Sequence, residues 1–563
     1  MTIEKVKSWA IVVIIFVAIL GMAYIANQII DMKWQRVIEY DPPHTGDSQI
    51  FSIEDGVTNR VTVVVLDGLP YDALSYMPTL TQLYDNNSGW KLTSPVPSQA
   101  MPVWTTLVTG TDPKLHGVVT GLHQPDNKLD TIFSSARRRE FPVFFAGNRS
   151  LEPLVNENAD WLHYHFATAD DSPALERDKQ AQKALLTQID QNPEGLFWLN
   201  MVSTSQAAIL HQARVHQETA FSRHLEEMDV LVSEILKSVD LSEETLIVMG
   251  SHGTIRRGGW GGPEEEATTV PMIMAGKGIS PASGGEAHSR DLSPTLAVLM
   301  GLDIPASNTG LPLFGGLELP DETKRSAIAA TAHAQHQAYT KYLRLFNEKP
   351  LPEPEGVADI VTLHDFSESY SDAVAELETQ MIQDRGQRWP LLGAIVLAVI
   401  VWSIILAQNK YRKFALLGVP ISILVSYGLL HSLGARFTFS DFHMAANFPM
   451  WVDSLQGQGY LIAVILGMYS GLMIARDGRY VLDDLFKATL HIVATSVIAF
   501  LLIAGTAVYI WGPDTPHILL PHRLWGLSFG AACFAQGLGQ AAILALGVSW
   551  VGARLTINWW LDD

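Results

Sequence analysis

The chain has 563 residues, 48% of them hydrophobic and 17% charged, which excludes a wholly disordered chain and indicates a mixture of soluble and membrane parts. The formal net charge of −20 argues against a nucleic-acid-binding protein, because phosphate backbones require clustered lysine and arginine. The single cysteine, Cys533, excludes a disulfide framework, a cysteine-rich zinc site and an iron–sulfur cluster.

The first long apolar segment, residues 9–30, contains no charged residue and is long enough to cross a bilayer. Lys5 and Lys7 precede it, which predicts a cytoplasmic N-terminus. A cleaved signal peptide is the alternative, although the apolar segment is long for one. Residues 1–34 are therefore expected to form an N-terminal transmembrane anchor.

The middle of the chain is strongly acidic. Residues 35–388 hold 26 basic and 48 acidic side chains, whereas both flanking regions are nearly neutral. Such a surface is solvated and disfavours docking on anionic lipid headgroups. We expect a folded domain at 35–314 and a helical linker at 315–388, in which 331–346 and 368–389 form amphipathic helices on either side of a proline-rich turn.

The C-terminal region, residues 389–563, is expected to cross the membrane five more times. The predicted spans are 390–408, 414–433, 459–475, 488–511 and 524–550. If the N-terminus is cytoplasmic, the loops richest in lysine and arginine are cytoplasmic as well, as the positive-inside rule requires. This predicts a multi-pass membrane protein with both termini in the cytoplasm and residues 35–388 outside it, in the periplasm, at the cell surface or in an organelle lumen.

The last predicted span carries small residues at spacings of four: Gly526 with Gly530, and Ala531 with Ala535 and Gly539. Small side chains let helices approach closely. The pattern indicates packing within the chain's own helix bundle or, alternatively, contact with a separate membrane subunit.

Strand and helix patterns alternate in the middle of the chain. The strand candidates are 60–66, 141–146, 196–202, 245–250 and 270–275, and the helical patterns include 71–84, 218–238 and 291–300. This alternation predicts an α/β domain with a parallel sheet covered by helices on both faces. Functional residues in such sheets follow the carboxyl ends of strands, and Asp67, the segment 203–208 and the pair Ser251-His252 occupy such positions.

Several ordered segments, between about residues 60 and 313, resemble the alkaline phosphatase superfamily. They include VVVLDGLPYDAL, VPSQAMPVWTTLVTGTDPKLHGV, TLIVMGSHGT and GGWGGPEEEATTVPMIMAGKGI. The resemblance is strongest to the branch that holds nucleotide pyrophosphatase/phosphodiesterases and GPI ethanolamine phosphate transferases. It implies an alkaline-phosphatase-like central sheet with flanking helices, and the transferases' plan of one span, an outer catalytic domain and several C-terminal spans.

The resemblance also implies a two-zinc site in which a Thr or Ser attacks phosphorus. Asp67 matches the first metal-binding Asp of the family, but the nucleophile falls on Ala100. An Asn that holds the phosphoryl oxygen falls on Val103. In the metal-binding Asp-His pair, the Asp falls on Ser251 while His252 is kept.

The remaining ligands of the family also depart from its pattern. One His ligand falls on Trp260, and no acidic residue lies between 197 and 217, where the family has another Asp. Zinc requires four donors, or three and a water. We therefore expect no metal cofactor; the alternative is one weakly held ion, whose candidate ligands are Asp67, His252 and His211.

These departures predict a membrane-anchored pseudoenzyme that acts as a binding or structural subunit of a membrane complex. Its expected partners are the lipid bilayer and other membrane subunits, which contact the C-terminal spans or the outer domain. The alternative is an active zinc-dependent phosphodiesterase or phosphoethanolamine transferase with an atypical site. The nearby hydroxyls of Ser98, Thr105 and Thr106 are expected to serve the helix N-terminus and helix packing rather than catalysis.

Overall fold

The computed structural model describes residues 3–38, 49–120, 129–155, 157–165, 173–214, 218–281, 283–346, 348–383, 389–407, 410–433, 440, 448–476, 481–511 and 523–561. Two compact units are present. The α/β unit runs from Ile38 to Glu378, and the helical unit contains the first helix together with the helices that follow Thr379.

The strands of the α/β unit are β1 (Phe51–Ser52), β2 (Arg60–Leu66), β3 (Ser88–Thr93), β4 (Val143–Asn148), β5 (Trp161–His165), β6 (Gly195–Met201), β7 (Thr245–Gly250), β8 (Thr269–Gly276), β9 (Gly284–His288) and β10 (Asp303–Ile304). After α1 (Ile3–Ile38), its helices are α2 (Pro78–Asn86), α3 (Ala100–Thr109), α4 (Pro113–His116), α5 (Ile132–Arg138), α6 (Glu152–Val155), α7 (Ala174–Gln191), α8 (Ser203–His211), α9 (Ala220–Ser238), α10 (Glu265–Thr268), α11 (Leu292–Met300), α12 (Asp321–Leu345) and α13 (Ile360–Gln383).

The central sheet has the strand order β5-β4-β6-β2-β7-β8-β3-β9. Strand β8 is antiparallel to both neighbours, whereas the other pairings within this sheet are parallel. The expectation of a fully parallel sheet is therefore wrong at β8. The connection between β7 and β8 contains the single turn α10 and no longer helix that would pack on the sheet as the crossover of a parallel pair usually does.

The apolar strand patterns are confirmed, at 60–66 and 245–250 with the predicted bounds. The other three strand candidates are present as β4, β6 and β8. The predicted helix at 71–84 is instead a 3-10 helix, Tyr71–Tyr76, followed by α2, because Pro78 begins a new helix. The strand patterns of β3, β5 and β9 were not predicted.

Both faces of the sheet are buried, as expected for strands between helical layers. Val61, Val63 and Val65 of β2 face one apolar cluster, which contains Trp104 and Trp198. Alternate residues of the same strand face a second cluster formed with α7 and α9. This alternation across a doubly covered sheet explains why β2 is a continuous apolar run in the sequence.

Helices α12 and α13 begin earlier than the predicted 331 and 368, and both pack on the α/β unit. The amide of Gln335 donates to the carbonyls of Thr309 and Gly310 at 3.0 and 3.1 Å. The rings of Tyr339 and Tyr370 stack with centroids 5.2 Å apart. The predicted continuation from α13 into the next span involves residues 384–388, which lie outside the described residues.

The helical unit continues with α14 (Trp389–Ala407), α15 (Arg412–Leu433), α16 (Phe448–Arg476), α17 (Leu482–Trp511), α18 (Arg523–Gln540) and α19 (Ala542–Leu561). In the described part of the chain, four helices are long and apolar enough to cross a membrane: Lys5–Asp31, Arg412–Leu429, Val452–Arg476 and Leu482–Ile510. A bent pair, Leu527–Gln540 with Ala542–Ile557, adds a possible fifth, and Leu392–Ala407 is a shorter apolar helix. The predicted single span at 524–550 is thus broken by a bend of 60°, and the total of six spans stays a prediction.

A chain of amide hydrogen bonds joins α1, α16 and α18 inside the helical unit. Gln536 accepts from Gln456 and donates to Asn27, and Asn27 donates to Asp31, each at 2.7 Å. A Cβ on Gly539 would lie 2.7 Å from the Cβ of Ala23. Gly539 therefore lies in close packing within the chain's own bundle, as the first of the two interpretations expects, and contact with a separate membrane subunit stays a prediction.

Candidate functional site

The family-like residues gather at the carboxyl edge of the sheet. Asp67 directly follows β2, Ser251 directly follows the neighbouring β7, and Asn200 lies near the end of β6 on the other side of β2. The registers align Leu66 with Met201 and Gly250, so Ser251 is level with Asp67, whereas Asn200 is aligned with Val65, two residues earlier. The prediction that Asp67 and Ser251 lie at this edge is therefore confirmed by the strand order.

The Asp67 carboxylate is buried and accepts hydrogen bonds from three neutral side chains. Its Oδ1 accepts from the Trp104 indole at 2.9 Å and from the Ser251 hydroxyl at 2.5 Å. Its Oδ2 accepts from the Asn200 amide at 3.1 Å. Both oxygens of this carboxylate are thus satisfied without a cation, which is what a buried charge requires when no positive partner is present.

The turn after Asp67 fixes the position of α8. Gly68 has a φ of +84°, and a Cβ at this residue would lie 2.6 Å from the Cα of Ser205. Only glycine tolerates both the left-handed backbone and this close approach. Glycine at position 68 is therefore required by the packing against α8, and Asp67 before it supplies the carboxylate.

His252 is fully buried beside Asp67 and is held as a neutral ring. Its Nδ1 donates to the Gly253 carbonyl at 2.9 Å, which leaves Nε2 as the unprotonated nitrogen. Burial lowers the pKa of His252, against the opposing effects of Asp67 and the Gly253 carbonyl. Nε2 has no hydrogen-bond partner among the residues that the structure describes.

Trp260 covers the imidazole. The two rings stack with centroids 5.1 Å apart and an interplanar angle of 19°. The residue at the position of a family metal ligand therefore contacts His252 through its ring face. An indole has no lone pair to offer a metal, because its nitrogen is only a donor.

The position of the family's nucleophile is the first residue of α3. Ala100 is half-buried there, and Val103 is fully buried one turn later. A methyl group cannot attack phosphorus, and the isopropyl group of Val103 cannot hold a phosphoryl oxygen. What α3 contributes to Asp67 is instead the indole of Trp104.

The neighbouring hydroxyls are engaged in structural hydrogen bonds. Ser98 donates to the Gly262 carbonyl at 2.9 Å and accepts from the Gly261 amide at 3.0 Å. Thr105 donates to the Met101 carbonyl, and Thr106 contacts His116 at 3.1 Å. Thr105 and Thr106 agree with the expected role in helix packing, whereas the expectation for Ser98 is wrong: it bonds the backbone of Gly261 and Gly262 rather than the N-terminus of α3.

The third candidate metal ligand, His211, is exposed at the end of α8, whereas Asp67 and His252 are buried. An acidic residue that sequence reasoning missed lies close to α8. Asp178 of α7 is fully buried and accepts from the backbone amides of Val202 and Ser203 at 3.1 and 2.9 Å. Burial is the main cause that raises its pKa, to about 7, with a smaller contribution from Asp67, while the hydrogen bonds oppose the rise.

The residues present do not fit a pair of zinc ions. No group of three or more His, Cys, Asp or Glu side chains that could hold a metal occurs within the described ranges. The lone pairs of Asp67 face N–H and O–H donors, so an ion there would have to displace all three. Among the described residues of this site, the Nε2 of His252 is the remaining donor, which is fewer donors than zinc takes.

Comparison with known proteins agrees with this fold. Residues 61–169 match the family model of type I phosphodiesterase/nucleotide pyrophosphatase. The human GPI ethanolamine phosphate transferase 2 catalytic subunit is 21% identical over 304 residues, which cover 49% of this chain and 30% of that protein. GPI ethanolamine phosphate transferase 2 of Yarrowia lipolytica is 25% identical over 292 residues, which cover 45% of this chain and 32% of that protein.

Solved structures show more distant similarity. An alkaline phosphatase superfamily protein from Vibrio parahaemolyticus has a TM-score of 0.38 and 14% identity, over 54% of this chain and 80% of that chain. Human ectonucleotide pyrophosphatase/phosphodiesterase 5 has a TM-score of 0.37 and 11% identity, over 43% of this chain and 95% of that chain.

The sequence matches show that the α/β unit resembles the alkaline phosphatase superfamily, in its phosphodiesterase branch. The chain is a membrane protein, and about half of it is similar to GPI ethanolamine phosphate transferases. It spans about a third of the length of these two curated relatives.

Proposed function

We propose that this protein is a catalytically inactive member of the phosphoethanolamine-transferase-like group, and that it acts as a binding or structural subunit of a membrane complex. The observation that carries the proposal is the environment of Asp67. Three neutral donors, from Trp104, Asn200 and Ser251, hold the carboxylate that binds a metal in the family.

Charge balance supports this proposal. In a two-metal site, several carboxylates are compensated by the positive charges of the ions. Here Ser251 replaces one carboxylate and donates to the other, so the buried negative charge is smaller and is stabilised by hydrogen bonds. Hydrogen bonds to a charged group contribute about 1.5–3 kcal/mol each, enough for three of them to offset part of the desolvation of Asp67.

The first test is the zinc content of the full-length protein, measured by elemental mass spectrometry after incubation with excess zinc and desalting. We expect fewer than about 0.1 zinc per chain, because Asp67 and His252 alone do not complete a ligand set. The matched control is the triple variant Ala100→Thr, Ser251→Asp, Trp260→His, treated identically. Close to two zinc ions per wild-type chain would overturn the proposal.

The second candidate function is an active transferase or phosphodiesterase with an atypical site. The free nitrogen of buried His252 and the similarity to the human catalytic subunit favour it. Hydrolysis of a chromogenic phosphodiester by the wild-type protein, abolished by a chelator, would support this candidate. Equal rates for wild type and His252→Ala, both at the background rate, would count against it.

The proposed role in a complex has a separate test. Native mass spectrometry of the protein extracted in a mild detergent from its own membranes should show a second polypeptide at fixed stoichiometry. A single species at the 61.9 kDa of the chain would contradict the subunit role. That result would leave the zinc measurement unaffected, so the two parts of the proposal can fail separately.

A further inference from the structure

A cavity lies at the same edge of the sheet, beyond the Asp67 site. It has a volume of about 300 Å³ and lies where β3 and β9 end, against α4. Ser94 lines it and donates to the Ser251 carbonyl at 2.5 Å. None of the six residues carried over from the family's site is among the described residues that line it.

The lining of this cavity holds two cationic side chains, each paired with a carboxylate, although the surrounding domain is acidic. Arg290, Lys114 and His288 line it, with Asp112 as the acidic member. Asp112 pairs with Arg290, and Lys114 pairs with Glu378 at 2.9 Å. Burial raises the pKa of Asp112, yet the charges of Arg290, Lys114 and His288 outweigh this effect and hold its pKa below the ordinary value.

One donor in this lining is unused. The Nε of Arg290 is buried and has no hydrogen-bond partner among the residues that the structure describes. The hydroxyls of Ser94, Ser289 and Thr106 add further polar groups to the wall.

The rest of the wall is apolar. Val96, Pro97, Pro113 and Val119 supply most of it, which suits a ligand with a hydrocarbon part. The volume of about 300 Å³ is at the small end of ligand sites and too small for a phospholipid with two chains. The carboxyl edge of an open α/β sheet is also the usual place for a ligand crevice.

We propose that this cavity binds a small organic anion, whose phosphate or carboxylate group pairs with Arg290 and Lys114 and whose apolar part contacts the valine and proline side chains. This site is separate from the Asp67 site, so the proposal does not depend on whether that site is catalytic.

The test measures binding of hexyl phosphate to the full-length protein in nanodiscs by isothermal titration calorimetry. Hexanol and inorganic phosphate, each carrying only half of the ligand's chemistry, should bind more weakly than hexyl phosphate. Lys114→Gln should weaken hexyl phosphate binding about tenfold, because a charge-assisted hydrogen bond is lost. The matched control is Lys277→Gln, which makes the same change at an exposed pair with Glu243 and should leave binding unchanged.

A second variant protects the test against misfolding of the first. Val119→Phe narrows the cavity without changing its charge, and it should also weaken binding, with the thermal unfolding midpoint checked for each variant. The proposal is overturned if hexyl phosphate shows no saturable binding, or if Lys114→Gln and Lys277→Gln weaken it equally. Displacement of hexyl phosphate by phosphatidic acid in the nanodisc would make a lipid headgroup the ligand and would overturn the assignment to a small anion.

Discussion

The buried carboxyl group of Asp178 makes the stability of the α/β unit dependent on pH. Burial raises its pKa from 3.8 to about 7, whereas in the unfolded chain it titrates near its ordinary value. The folded state therefore binds more protons than the unfolded state between about pH 4 and pH 7. Stability must fall as the pH rises through this window.

The magnitude follows from the difference between the two pKa values. Between about pH 5 and pH 7, Asp178 is protonated in the folded chain and ionised in the unfolded chain. Over these roughly two pH units the free energy of unfolding falls by about 2–3 kcal/mol. Asp178→Asn removes this titration, although it also loses one acceptor, since Asp178 receives two backbone amides. The unfolding free energy of Asp178→Asn should therefore come closest to that of wild type, or exceed it, at high pH.

The assay is urea unfolding of the full-length protein in detergent, followed by tryptophan fluorescence at about pH 5 and about pH 8. Wild type should lose about 2–3 kcal/mol more than Asp178→Asn over this interval. The matched control is Asp190→Asn, an exposed position on the same helix, which should keep the wild-type pH dependence. Parallel curves for wild type and Asp178→Asn would refute the reasoning.

Three further predictions concern backbone geometry, membrane packing and an ion pair. Gly68→Ala should lower the unfolding free energy by more than about 2 kcal/mol, because its φ is +84° and its Cβ would lie 2.6 Å from a backbone carbon of α8. Gly356→Ala, with nothing within 4 Å, should change it by less than about 0.5 kcal/mol in the same urea unfolding experiment. Gln536→Leu removes two amide hydrogen bonds and should cost about 1–2 kcal/mol, measured as a lower thermal midpoint of the full chain in detergent. Asp303→Asn loses pairs with two arginines that hold the pKa of Asp303 below its ordinary value despite burial, so its loss of stability should be largest at neutral pH and should shrink below about pH 4.

The strands that the sequence predicted share one property: β-branched or aromatic residues buried on both faces. The bounds of β2 and β7 follow directly from such runs. Strand β9, with the sequence GGEAH, is mostly exposed and has no such pattern. It is held in the sheet by pairing with β3, a long-range contact that no local pattern reveals.

The site was predictable only where its residues follow recognisable strands. Asp67, Ser251 and His252 could be located in this way, whereas Trp104, Asn200 and Asp178 could not. Each of these three residues lies within a helix or strand whose sequence pattern indicates only burial in the core, so the pattern does not mark it as part of the site. Asn200 alone left a signal, since it is the polar residue within the apolar strand LFWLNM.

The substitutions around Asp67 depend on one another physically. A carboxylate at position 251 would stand within hydrogen-bond distance of Asp67, and two such buried charges cannot both ionise without a cation between them. A serine there removes one charge and donates to the other, and the indole and amide of Trp104 and Asn200 supply the rest. In this arrangement the hydrogen bonds of Asp67 link the end of β2 to α3, to β6 and to the residue that follows β7. Retention of the family's first metal ligand is therefore no argument for a retained metal, because the same carboxylate is needed to hold the edge of the sheet together.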